Sequence, residues 1–228
     1  MNELEHRLRQ VDADLAAMYG PKVLAPHGDA VGELMHIILT QNTSDANSDR
    51  TYAALRKSFS SWDQLAGASP SRIADVIRMG GLADIKAARI IEVLARLKAE
   101  RGSITLEGID KLPKGEAFHK LTELPGVGPK TAACVLLFAL GVPVFPVDTH
   151  VHRVANRLGL VNTKSPAATQ DRLMPAVPDD ITYQLHMNMV THGRKTCRAQ
   201  RPRCDECLLA PACGYAVRAS GASEEARD

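Results

Sequence analysis

The sequence predicts an all-α fold. Apolar residues recur at helical spacing, as at Leu4, Leu8, Val11 and Leu15. No segment alternates apolar and polar residues in the way a half-buried strand does, and there is no internal repeat. Glycine and proline fall between the periodic segments and mark where helices stop. With 228 residues, 45% of them hydrophobic, the chain can bury a substantial core.

The elements follow in order. Residues 2–19 form an amphipathic helix that Gly20-Pro21 ends, and a second helix covers Val31 to Leu39. A third runs from about Ala46 to Ser58. Ser69-Pro70 opens a short helix, proline being favoured in the first turn, and Gly80-Gly81 ends it. Residues 84–100 are a long helix with Ile90, Ile91, Leu94 and Leu97 on one side. Residues 101–115, with their Gly and Pro, read as a loop, and a short helix follows from Glu116 to Glu123. Pro125, Gly126, Gly128 and Pro129 make a turn, from which an apolar helix runs to Leu140. After a loop with Pro143 and Pro146, helices are expected over Asp148–Leu158, Pro166–Met174 and Asp179–His192. The stretch from 216 to 228 is small and charged and is expected to be disordered.

Composition excludes several classes. The N-terminal segment is charged and lacks the apolar core of a signal peptide. No apolar run is long enough to span a bilayer. The expectation is a soluble cytoplasmic protein with no membrane partner, where disulfides are disfavoured. Charge is unevenly spread. Residues 1–147 hold 17 Lys and Arg against 17 Asp and Glu, whereas residues 148–203 hold nine against four, a balance of +5. Such a stretch is either a polyanion contact or a solvated face. Aromatics make up only 4%, too few for a base-stacking platform.

Four of the five cysteines are clustered. Cys197, Cys204, Cys207 and Cys213 are spaced C-x6-C-x2-C-x5-C, so four thiolates can converge on one centre. A cubane cluster fits this compact loop better than zinc, which usually takes two close pairs; plain buried thiols are the third reading. Arg194, Lys195, Arg198, Arg201 and Arg203 flank or lie within the loop, and a metal that folds it would fix those cations in place. Cys134, within an apolar helix, reads as a buried small hydrophobe.

Leu124-Pro-Gly-Val-Gly-Pro-Lys130 lies between two helices. Gly126 and Gly128, with Val127 between them, permit a tight turn that another molecule's backbone can approach closely. Its outward N–H groups make an anion site, although a lone G-x-G is more often an ordinary corner. Lys130 begins the next helix, and Asp148 follows eighteen residues later in Val-Asp-Thr-His. Taken singly these are a surface lysine and a helix cap; as a pair they suggest amine-nucleophile chemistry.

Three blocks, LPGVGPKTA, VDTHVHRVANRLGL and HGRKTC…CDEC…C, match in order and spacing those of one family. The chain resembles the endonuclease III family of helix–hairpin–helix DNA glycosylases with abasic-site lyase activity, over most of its length from about Leu34 through Cys213. The resemblance implies two helical domains flanking a cleft. One is a bundle over 28–142 ending in the hairpin, and the other joins 1–27 to 143–215. It implies a [4Fe–4S] cluster on Cys197, Cys204, Cys207 and Cys213. It makes Lys130 the nucleophile and Asp148 its carboxylate partner. Gln41 and Leu82 match the residues that the family inserts into the duplex around a flipped nucleotide. The hairpin, with Gly126, Val127 and Gly128, and the cations Arg194, Lys195, Arg201 and Arg203 would bind double-stranded DNA carrying a damaged base or abasic site. Oxidised pyrimidines would be the substrate and a monomer the default state.

The chain departs from the family pattern at Pro129, at the Asn-Thr-Ser-Asp run after Gln41, at His152 and in a long 103–119 segment. These bear on damage preference more than on reaction type. Mismatch-specific or monofunctional glycosylases of the same superfamily generally lack the lysine, which Lys130 argues against. A non-enzymatic DNA-binding or redox-sensing protein would have no need of both Lys130 and Asp148.

Overall fold

A computed structural model describes residues 2–217, and among them it contains helices and turns with no strand, so the all-α expectation holds. In chain order the α-helices are α1 (Glu3–Tyr19), α2 (Ala30–Thr40), α3 (Asp45–Ser58), α4 (Trp62–Ala66), α5 (Pro70–Ile77), α6 (Ala83–Arg101), α7 (Lys114–Thr122), α8 (Pro129–Cys134), α9 (Thr149–Arg157), α10 (Pro166–Leu173) and α11 (Thr182–Lys195). The chain forms two compact units. One is Pro26–Val142; the other combines the segments on either side of it.

The Pro26–Val142 unit holds α2 to α8. Its helices start where side chains satisfy the free N–H groups of the first turn. The Asp29 carboxylate accepts from the Gly32 amide at 2.8 Å, and the Ser69 hydroxyl from that of Arg72, with Pro70 in the first turn. α2 packs on α3 and α6, and α5 on α3 and α6. Leu34, Ile38, Leu55, Ile73, Ile90 and Leu94 are all fully buried.

Three segments of this unit differ from the sequence expectation. α4 was not anticipated, although Ser61 and Gln64 form a recognisable start: the Ser61 hydroxyl accepts the Gln64 amide at 3.1 Å, and Gln64 Oε1 accepts the Ser60 amide at 2.7 Å. The 101–115 loop contains a 3₁₀ turn, Ile109–Lys111, and buries Leu106 and Ile109; the next helix starts two residues early, at Lys114. The apolar helix after the hairpin does not stay α-helical. From Val135 to Ala139 it widens into a π-turn, and the Val142 amide then bonds to the Leu136 carbonyl.

In the other unit, α1 is capped by Asn2 and ended by Gly20 with φ +79°. It buries Leu8, Val11 and Leu15 in a core shared with Phe145, Val151, Val154, Leu185 and Met189. α9 packs tightly on α11: a Cβ at Gly193 would lie 2.7 Å from that of His150, so only glycine fits there. His152, one of the departures from the family pattern, pairs with Thr169 Oγ1 at 2.6 Å and so joins α9 to α10. The expected disordered tail is corrected at its start. Ala216 packs against the core, and the Val217 amide donates to Cys213. Residues 218–228 lie outside the described residues. Among the described residues no helix is long and apolar enough to cross a membrane.

Candidate functional site

The hairpin residues form the turn their sequence suggests. Gly126 has φ +66°, and the Val127 amide bonds back to the Leu124 carbonyl at 3.0 Å. Gly128 is the extended cap of α8, with Pro129 in the first turn and Lys130 next to it, half-buried. Val127 is buried, so its side chain anchors the turn while Gly126 and Gly128 stay exposed. A Cβ on Gly126 would come within 2.3 Å of the Arg89 guanidinium. Glycine is therefore favoured there by its backbone angle, and it lets the mobile guanidinium of Arg89 in α6 lie against the turn. Sequence reasoning missed Arg89, because no local pattern links it to a turn 37 positions away.

Asp148 caps α9. Its Oδ1 accepts the Val151 amide at 2.8 Å, which fixes the carboxylate at the start of the helix. The residues before it are tied down as well. The Val147 amide donates to the Oε1 of buried Gln170 at 3.2 Å, and the Pro146 carbonyl is bonded by His186 Nδ1 at 2.9 Å. Gln170 and His186 were not singled out in the sequence; a buried amide and a buried imidazole among apolar neighbours were the available signal. Lys130 and Asp148 belong to different units.

Cys197, Cys204, Cys207 and Cys213 line one cavity together with Arg157, His192 and Tyr215, and none is in a disulfide. Arg157 Nη1 donates to Cys197 Sγ at 3.4 Å, and His192 Nε2 lies 3.8 Å from Cys207 Sγ. The other imidazole nitrogen pairs with Tyr19 Oη at 2.8 Å, which itself meets Thr196 Oγ1 at 2.8 Å. Burial, followed by the charge of the neighbouring sulfurs, pushes the Cys204 thiol up; it also pushes up Cys207. Burial, with Arg153 close by, holds the His192 imidazole down at about 4, so it is neutral at physiological pH. Among the described residues no three His, Cys, Asp or Glu side chains already form a closed metal-holding set. The donor set nevertheless suits an electron-rich group: four cysteines line one space, with a guanidinium N–H at Cys197 and an imidazole nitrogen near Cys207.

The basic stretch divides in two. Arg153 and Arg157 of α9 turn inward. Arg153 donates to the carbonyls of Cys197 and Gly193 at 3.0 and 2.7 Å. Arg157 donates to those of Arg198 and Ala199 at 2.6 and 3.0 Å, and its guanidinium stacks on Tyr215 at 4.4 Å. Two of the nine cations counted between 148 and 203 thus serve the loop itself. Arg194, Lys195, Arg198, Arg201 and Arg203 are exposed, with Arg203 paired to Glu206 at 3.4 Å. Arg194 and Lys195 share a groove with Lys22.

Gln41 is the exposed cap at the end of α2. Leu82 opens α6 from a left-handed backbone with φ +50°, an outlier for a branched apolar residue, and remains 48% exposed. Met79 in the preceding 3₁₀ turn and Ile85 in the first turn of α6 are exposed too. Leu82 is thus not a core residue of its unit, and about half of its surface is open to solvent.

Residues 35–179 match the family model described as the HhH-GPD superfamily base excision DNA repair protein. Endonuclease III of Thermotoga maritima is 35% identical over 182 residues, 80% of this chain and 81% of that one. A DNA-glycosylase-like protein of Arabidopsis thaliana is 41% identical over 162 residues, 71% of this chain and 55% of its own, so this chain spans about half of that relative. A solved structure of a trapped endonuclease III–DNA covalent intermediate, an estranged-adenine complex, has a TM-score of 0.78 and 27% identity, covering 95% of this chain and 98% of the other.

Proposed function

Since the chain belongs to the HhH-GPD superfamily of base excision DNA repair proteins, and within it to the endonuclease III family, we propose that it is a bifunctional DNA glycosylase. It excises oxidised pyrimidines from duplex DNA and cleaves the resulting abasic site. The observation that carries this reading is Lys130, set directly behind a glycine turn suited to phosphate and matched by a helix-capping carboxylate at Asp148.

The steps follow from these groups. Once it has lost a proton, the Lys130 amine attacks C1′, and the base leaves with the glycosidic electron pair and takes up a proton. Opening of the sugar ring gives an imine between Nζ and C1′. Loss of the C2′ proton then drives cleavage of the C3′–O bond, expelling the 3′ phosphate. Asp148 takes the proton that the lysine must shed and offsets the positive charge developing on the sugar. Reaching C1′ requires flipping the nucleotide out, at a cost of a few kcal/mol. Gln41 and Leu82 fill the space it leaves; the exposure and backbone of Leu82 support that role.

The Gly126 and Gly128 amides, on the turn that Val127 closes through its own amide, and the exposed Arg194, Lys195, Arg201 and Arg203 hold the phosphates. Cys197, Cys204, Cys207 and Cys213 hold a [4Fe–4S] cluster, supported by their shared cavity and the Arg157 donor at Cys197. When bound, that group ties the loop into a fixed shape. The protein acts as a cytoplasmic monomer on double-stranded DNA.

Borohydride trapping tests the reading. Native protein mixed with duplex bearing thymine glycol or an abasic site should yield a covalent band, because borohydride reduces the imine to a stable amine. Lys130→Gln should yield none. Base release without a band would make the enzyme monofunctional, with Asp148 directing water. Neither product from a panel of lesions would overturn the enzymatic reading.

A further inference from the structure

Lys86, in the second turn of α6, is only 2% exposed. Burying an ammonium away from a carboxylate is costly, and desolvation holds this one below the usual lysine range. Its Nζ donates to two backbone carbonyls, that of Leu39 at 2.9 Å and that of Gly80 at 2.8 Å. Each carbonyl needs a donor. Leu39 lies in the last turn of α2, where helix carbonyls have run out of amides and favour a cation. Gly80 closes the 3₁₀ turn Arg78–Gly80 and rests against α3, where a Cβ would stand 2.9 Å from Thr51 Oγ1.

These two carbonyls occupy matching places. Two residues beyond Leu39 is Gln41, and two residues beyond Gly80 is Leu82. Among the described residues the non-glycine positions with positive φ are Asn42, Leu82 and Arg201, and two of the three lie on these turns. Asparagine takes the left-handed region readily, but a branched apolar residue such as Leu82 does so only under strain, so the Leu82 loop would relax if it were released. A single buried cation grips both turns just before their left-handed residues.

We propose that Lys86 is a positioning residue for duplex penetration: its ammonium ties the Gln41 turn to the Leu82 loop, so that the two enter DNA at a fixed separation and act as one element. This rests on the reading that Gln41 and Leu82 enter the duplex. The hydrophobic core already holds α2 and α6 together; the lysine sets the two turns that extend beyond that core. It touches neither sugar nor base and acts through the two carbonyls.

The test uses the full-length protein and a duplex in which a tetrahydrofuran abasic analogue faces 2-aminopurine. The fluorescence of 2-aminopurine rises when the base is unstacked, with no chemistry required. Native protein should raise it, and Gln41→Ala and Leu82→Ala should each diminish the rise. Lys86→Met should bind the duplex within about threefold of native yet lose about tenfold of the unstacking equilibrium, the scale expected when supporting residues no longer hold a site in register. Adding Leu82→Ala to it should cost less than the sum of the two changes.

If Gln41→Ala and Leu82→Ala leave the rise intact, the insertion reading fails and the tether with it. If they diminish it and Lys86→Met does not, the tether alone is wrong. A loss of binding in step with the loss of unstacking would mark a merely structural lysine and would also overturn the proposal. Should Lys86→Met yield no folded protein, Lys86→Gln takes its place, since its side chain is one atom shorter and does not span both carbonyls. A full rise with either variant counts against the tether.

Discussion

The Cys197–Cys213 loop and the paired turns at Gln41 and Leu82 are both irregular backbone, but they are held in opposite ways. The loop draws its four sulfurs from 17 consecutive residues, and Arg153 and Arg157 close it by donating to its carbonyls and to that of Gly193. The turns lie about forty residues apart in the chain and meet at one buried nitrogen. The loop's chemistry is carried by its own sequence, and the fold supplies the clamp. The turns have no distinctive chemistry of their own, and the fold supplies the geometry. A loop of the first kind should fail when its ligands are removed, and turns of the second kind when their tether or backbone strain is changed.

The largest effect is expected at the loop. With the proposed [4Fe–4S] cluster on its four cysteines, the purified protein should be brown, and Cys207→Ala should abolish that colour. It should also reduce the salt slope of DNA binding by about 1 to 2, because Arg201 and Arg203, which lie within the loop, would no longer be held in place and each phosphate contact contributes about 0.9 to that slope. Retained colour with an unchanged slope would show that the loop does not depend on its thiolates. At the turns, Leu82→Gly should separate stability from function. Relieving the left-handed backbone should stabilise the fold by roughly 1 kcal/mol, read from the denaturation midpoint, while base excision falls by about tenfold. A destabilised Leu82→Gly would mean that the exposed leucine packs on its own unit after all.

The smallest effect is a pH dependence remote from both regions. Asp12 of α1 is 5% exposed; one oxygen accepts from Gln184 at 2.8 Å and the other has no partner. Burial raises its carboxyl above the ordinary 3.8, so the fold favours the protonated form. That contribution is complete below the ordinary value and is lost as the pH rises through the raised one. Asp12→Asn should therefore gain a few degrees in Tm over the native protein between acid and neutral pH. A Tm difference that stays constant across this range would count against burial as the cause. An altered salt slope or unstacking signal in this variant would blur the contrast between the two regions.

Legibility followed the same division. α1, α3 and α5 could be read closely because apolar spacing and their stop or start signals lie within the segment itself. The cap at Asp148 and the turn at Gly126 were legible for the same reason. α4 was overlooked although Ser61 and Gln64 announce it, since five residues are too few for periodicity to register. The π-turn from Val135 could not be read, because an all-apolar run gives the same pattern whichever carbonyl accepts each amide. The basic stretch was overcounted, because a sequence does not say which arginines turn inward.

By itself the sequence determined the helical class, the four-thiolate spacing, the glycine turn before Lys130 and the carboxylate that begins α9. Each depends on residues within a few positions of one another, where covalent geometry and hydrogen-bond reach leave little choice. Only the tertiary structure decided that Arg153 and Arg157 serve the cysteine loop, that Arg89 lies against Gly126, that Leu82 stays exposed on strained backbone, and that Lys86 is buried between two turns. Burial and partnership are set by atoms distant in the chain, and no local pattern records which of them will arrive.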